Sequence, residues 1–256
     1  MPKNIAKLFV SVAATAIALT GIAAAQASAA AKPSVVLVHG AFANAASWDK
    51  VATLLRAKGV TVTEVDNPLT SLADDVSATK AVLAKQTGPV VLVGHSWGGV
   101  VIGEAGDDPK VKSLVYIAAF ALDKGETIQA ISAGSPPPPG IQALRPDAQG
   151  NLTVDPAQFP TVFAGDLPAA EAQVLAAAQI PTSPSIFAAP STVAAWHGKP
   201  TYYAISANDQ MIPPQAEAFF AKRINATTVT LQSSHASLLS EPDQVAALIL
   251  QAVNAK

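Results

Sequence analysis

The sequence predicts an α/β fold: a mostly parallel sheet flanked by helices, with an inserted, mainly helical cap. Three observations carry that prediction. Apolar runs such as 34–38 (SVVLV) and 89–93 (PVVLV) are continuous rather than alternating, as in strands buried on both faces. Segments with helical spacing of apolar residues separate these runs. Small and polar residues follow directly after several runs, and in parallel sheets sites form outside the carboxyl ends of the strands.

The elements follow in order. Residues 34–38 end at His39-Gly40 and read as the first strand. Residues 48–58 place Val51, Leu54 and Leu55 at helical spacing, and Gly59 is a stop signal. Residues 60–65 read as the next strand. Residues 71–86 form a helix with Leu72, Val76, Val82 and Leu83 on one side, closed by Gly88-Pro89. After the run at 89–93 comes a small-residue helix, then a strand at 111–120. Phe219-Phe220 and residues 238–253 belong to later helices, and 202–206 and 227–231 to later strands.

The middle of the chain differs. From about 122 to 199 it is proline-rich, including Pro136 to Pro139, with few strand-like runs and helical pieces at 126–132 and 168–179. It lies between core strands, so it reads as a cap over the carboxyl edge of the sheet. Phe159, Phe163, Phe187 and Trp196 give it apolar anchors that a disordered linker lacks. The prolines read as a rigid spacer.

Lys3 and Lys7 precede an apolar stretch from Leu8 to Ala25, and Ala27-Ser28-Ala29 follows. This is the order of a secretory signal peptide, so residues 1–29 are expected to be removed and 30–256 to form a single domain. The alternative is a retained anchor. The alanine-rich stretch, its break at Gly21 and the cleavage-like site favour removal. Export to the periplasm or beyond is therefore expected. Without Lys3 and Lys7, 14 basic residues face 18 acidic ones, a net of −4. No basic block suits nucleic acid or an anionic membrane. There is no cysteine, so neither disulfides nor thiolate metal sites are possible, and four scattered histidines make no pair at ligand spacing. No metal or cofactor is expected. The oligomeric state is not readable.

Gly94-His95-Ser96-Trp97-Gly98 carries the chemistry. A G-x-S-x-G between a strand and a helix is a nucleophile elbow, a tight turn that lifts the serine hydroxyl above the sheet. Its glycines let strand and helix approach closely. Downstream, the run at 202–206 leads to Asp209, followed by Ile212-Pro213, and the run at 227–231 leads to His235. Ser96, Asp209 and His235 are the three groups that nucleophilic acyl transfer needs. A serine needs a base, and the base needs an acid to hold its tautomer. Asp123 and Asp243 are rival acids. His39, His95 and His197 are rival bases, of which His39 suits support of the turn after the first strand and His95 a structural role.

These segments resemble the α/β-hydrolase superfamily. The resemblance is to a bacterial branch with salicylate-type esterases, pyrethroid-hydrolase-like esterases and plant hydroxynitrile lyases. It rests on Val36 to Phe42, Val91 to Gly99, Leu114 to Phe120, Asp209 to Pro213 and Ser234-His235, so it spans nearly the whole mature chain. It implies an oxyanion hole made by the backbone N–H groups of Ala41 and Trp97. Phe42, Trp97, Phe163 and Phe187 are candidates for an apolar substrate pocket. The expected activity is serine carboxylester hydrolysis of small to medium apolar esters. A hydroxynitrile lyase carries lysine after the catalytic histidine and threonine in place of Gly40; here Ala236 follows His235. A cofactor-free haloperoxidase or perhydrolase shares every motif. A non-catalytic binding protein on the same fold is the rival of another class, and it is marked by loss of a triad residue.

Overall fold

Parallel strands buried on both faces form the centre of the molecule. The computed structural model describes Met1 and residues 33–255; the expected leader, apart from Met1, lies outside the described residues. Six strands form one parallel sheet: β1 (Ser34–Val38), β2 (Val62–Val65), β3 (Val90–His95), β4 (Val111–Ile117), β7 (Thr201–Ser206) and β8 (Thr227–Leu231). Their order is β2-β1-β3-β4-β7-β8. In register, Val36 of β1 faces Thr63 of β2 and Leu92 of β3. Every residue of β3 is buried, and each apolar side chain taken from water there contributes roughly 1.5–3 kcal/mol.

The order places the site. From β1 the chain steps one way to β2, then crosses back to β3 and continues toward β8. Right-handed crossovers then put helices on opposite faces before and after the reversal. Helices α1 (Asp49–Ala57) and α11 (Pro242–Asn254) pack on each other, as do α2 (Leu72–Ala84) and α3 (Gly98–Ala105). The reversal opens a crevice beyond the carboxyl ends of β1 and β3. Those ends carry the His39-to-Phe42 turn and Ser96.

Local chemistry explains most element boundaries. Ser71 caps α2, its Oγ accepting the Asp74 N–H at 3.1 Å. The strand expected over 111–120 stops at Ile117, because Ala118 turns to φ 44°. The helix expected over 238–253 is broken into α10 (Ser237–Ser240) and α11, since Pro242 has no N–H to continue a helix and suits a first turn.

Between β4 and β7 lie α4 (Ile128–Ile131), α5 (Pro139–Gln142), α6 (Phe159–Val162), α7 (Ala169–Ala177) and α8 (Ser185–Ala188). A small antiparallel pair, β5 (Leu144–Pro146) and β6 (Leu152–Val154), joins them. The pair departs from a mainly helical expectation. Its three-residue strands are too short to show a period, and its turn is set by Asp147, whose Oδ1 accepts the N–H groups of Gln149 and Asn151. Pro138 stands at the N-cap position of α5 and Pro139 in its first turn, where no helical N–H is needed.

This segment is pinned to the core. Glu104 of α3 accepts from the Ser191 hydroxyl, both donors of Thr192 and the Val193 N–H at 2.6–2.8 Å. Asp166 accepts the Ser234 N–H at 2.9 Å and its hydroxyl at 2.5 Å, immediately before His235.

Candidate active site

Ser96 sits at φ 52°, a left-handed conformation that L side chains rarely adopt. Its neighbours hold it there: Ser96 N–H donates to Ile117 O at 3.2 Å, and its carbonyl accepts from Gly99 and Phe120 at 3.0 and 3.2 Å. The turn needs glycine at two close approaches. A Cβ on Gly98 would stand 2.6 Å from Val38 O, and one on Gly94 would overlap the Gly98 carbonyl. Strand and helix thus cross backbone to backbone, leaving Ser96 8 % exposed at the reversal.

Asp209 and His235 meet across the ends of β7 and β8. His235 Nδ1 lies 2.5 Å from Asp209 Oδ2, and both side chains are buried. The other oxygen, Oδ1, accepts from Met211 N–H at 2.6 Å and Ile212 N–H at 2.9 Å. A carboxylate so held fixes the imidazole with Nδ1 protonated and Nε2 available as a base. Neither His235 Nε2 nor the Ser96 hydroxyl makes a hydrogen bond among the described residues. Such bonds are often long before substrate binds.

The rival residues are engaged elsewhere. Asp123 pairs at 3.1 Å with the exposed His197, whose ring stacks on Trp196. Asp243 is in the first turn of α11. His39 Nδ1 donates to Gly40 O at 2.9 Å and Nε2 accepts the Asn67 N–H at 2.9 Å, bracing the turn after β1. His95 Nε2 donates to the His235 carbonyl at 3.0 Å, while its Nδ1 is without a partner among the described residues.

Burial holds both of these histidines below the ordinary imidazole range; the nearby His235 adds to the effect at His95. An unfolded histidine takes up a proton near ~6.5. Below that pH the unfolded chain binds more protons than the folded one, so this stability, complete above it, is lost as pH falls toward the folded values. A His95→Gln variant keeps a donor toward His235 and is expected to lose less Tm than wild type between about pH 6.5 and pH 5. Parallel Tm curves would contradict this.

Ala41 and Trp97 lie on the two turns that flank the crevice. Neither backbone N–H has an acceptor among the described residues. The next amide, that of Phe42 (φ 62°), is taken by Thr182 Oγ1 at 3.1 Å. Thr182, Asp75 and Asp166 were not legible as site residues. Asp75, fully buried, accepts Trp97 Nε1–H at 2.7 Å and Leu69 N–H at 2.9 Å, and burial raises its carboxyl. Nothing local to Asp75 announces a partner 22 residues away.

Two cavities lie beside the Phe42 turn, and Phe42 lines both, while Ser96, Asp209 and His235 line neither. The larger, of about 1070 Å³, is bounded by Phe120, Ile128, Phe187, Met211 and Phe219 among others. The smaller, of about 180 Å³, is bounded by His95, Phe159, Phe163, Leu238 and Leu239. Phe163 also meets the His235 ring edge to face at 4.9 Å. Phe42 and Phe187 thus face the large cavity and Phe163 the small one. Trp97 is a correction: its indole lines neither, because the ring is buried with its N–H bound to Asp75. Among the described residues no group of three or more His, Asp or Glu is arranged to hold a metal ion, and no helix is long and apolar enough to cross a membrane.

Comparison with known proteins agrees with this architecture. The chain is 28% identical to a pyrethroid hydrolase of Sphingobium wenxiniae over 84% of its own length and 85% of the relative. It is 26% identical to the alpha/beta hydrolase nvfD of Aspergillus novofumigatus, covering 86% and 96%. The crystal structure of a pyrethroid hydrolase from Sphingobium faniae superposes with a TM-score of 0.74 at 25% identity, covering 87% and 98%. Residues 35–248 match the alpha/beta hydrolase family, and the chain is a member of that family.

Proposed function

We propose that this protein is a serine carboxylesterase acting on small to medium apolar esters through Ser96, His235 and Asp209. One observation carries the reading: the buried 2.5 Å pairing of His235 Nδ1 with Asp209 Oδ2, in a fold that also holds Ser96 left-handed on its elbow. In this mechanism His235 Nε2 takes the Ser96 proton as Oγ attacks the ester carbonyl. The tetrahedral oxyanion is met by the N–H groups of Ala41 and Trp97, each such donor being worth about 3–4 kcal/mol to the transition state. His235 then protonates the leaving alkoxide, and water releases the acyl group by the same steps in reverse.

The apolar preference is supported by the cavity of about 1070 Å³, which no charged side chain lines among the described residues. Hydrolysis as the reaction is supported by the pyrethroid hydrolase relative, which aligns over most of both chains. The test is intact mass after a fluorophosphonate, with peptide mapping, then turnover of p-nitrophenyl esters of graded chain length. A single adduct on Ser96 and preference for short to medium, apolar acyl chains are expected. No adduct on folded protein would overturn the reading.

A further inference from the structure

Glu217 is a fully buried carboxyl group that the mechanism above does not use. It projects from α9 (Pro214–Arg223) and is 0 % exposed. Oε2 accepts the N–H of Ser206, the last residue of β7, at 3.0 Å. Oε1 finds no donor among the described residues, and no cation pairs with the group there. Its titratable neighbours are Asp209, on the loop after β7, and Tyr203, within β7. The Tyr203 hydroxyl is committed to Ala119 O at 2.5 Å, so Asp209 is left to face Glu217.

Two carboxyl groups in a dry interior do not both ionise. Asp209 has the stronger claim on the charge. It accepts from two backbone amides and from His235, while Glu217 accepts from one amide. The proton therefore belongs on Glu217, which turns the orphaned Oε1 into a donor. Burial and the Asp209 charge push the Glu217 carboxyl well above the usual carboxylate range, in the same direction.

We propose that Glu217 is held as a neutral acid that donates from Oε1 to the Asp209 carboxylate, positioning that carboxylate for His235. The inference rests on the triad reading. Glu217 touches no reacting atom and acts through Asp209, so it is a positioning residue. No bond is made or broken and the proton stays on Glu217 throughout.

Three measurements on the full-length protein test this. The infrared difference between wild type and Glu217→Gln at neutral pH is expected to show a protonated-carboxyl band that the variant lacks. Stability is the second. Unfolded glutamate ionises near ~4.3 while the folded group keeps its proton, so this group costs stability as pH rises toward its folded value. Above about pH 6.5, where the contribution of the buried histidines is complete and no longer changes with pH, wild-type Tm is expected to fall more steeply toward pH 8.5 than that of Glu217→Gln. Third, Glu217→Leu is expected to lower kcat by about tenfold or more, with KM within about twofold, and glutamine to rescue most of the loss, because it retains both a donor and an acceptor.

Absence of the carboxyl band, equal Tm slopes, or wild-type kcat in Glu217→Leu would each overturn the proposal. If Glu217→Leu does not fold, the glutamine variant's spectrum and slope decide alone. If the wild type takes no fluorophosphonate, the serine mechanism fails, while the infrared band still judges Glu217 on its own.

Discussion

Replacing Ser96 by alanine is expected to lower kcat for ester hydrolysis by about 10⁴-fold or more, with KM and Tm near those of wild type. Alanine is the smaller side chain, so it meets no new contact in a turn where the backbone bonds of residue 96 to Ile117, Gly99 and Phe120 persist. The φ of 52° is retained because the surrounding turn imposes it. What disappears is the only hydroxyl raised on the elbow between β3 and α3. Residual rate above water would come from the amides of Ala41 and Trp97 and from binding. Steady-state kinetics with p-nitrophenyl esters, alongside thermal unfolding, checks this. Hydrolysis at the wild-type rate by the folded variant would sink the acyl-enzyme mechanism.

Asp209→Asn is expected to cost a comparable factor, on the order of 10⁴ in kcat. Asparagine still accepts from the Met211 and Ile212 amides through its carbonyl oxygen. That choice turns its NH₂ toward His235, which then presents Nδ1 as acceptor and carries its proton on Nε2. A protonated Nε2 cannot take the serine proton. The loss should therefore fall on kcat far more than on KM. Asp123→Asn serves as the contrast, since Asp123 pairs with exposed His197 and is expected to leave turnover within about twofold. If the two variants behaved the other way round, the acid would be misassigned.

Much of this site was legible in the chain. Ser96 announced itself because an elbow is a local object, a G-x-S-x-G pressed between an apolar run and a small-residue helix. Asp209 and His235 followed from the same logic, each closing a strand-like run. The β5–β6 pair was not legible, although Asp147 and Gly150 mark its turn, because three-residue strands carry no period. The role of Trp97 was half legible. Its amide lies where the turn puts it, but its indole is claimed by Asp75, a partner fixed only by packing α2 against α3. Nothing in the sequence singled out Glu217, since its burial beside Asp209 comes from docking α9 on β7.

The sequence by itself determined the parallel α/β architecture and the elbow, and it singled out Ser96, Asp209 and His235 as the three candidate groups. Periodicity, turn chemistry and order along the chain are local properties that each segment carries alone. The tertiary structure decided which histidine meets which carboxylate, which amides stay free, and which carboxyl groups are buried together. These depend on contacts between residues far apart in the chain and on the exclusion of water, which gives buried charges and unpaired donors their energetic weight.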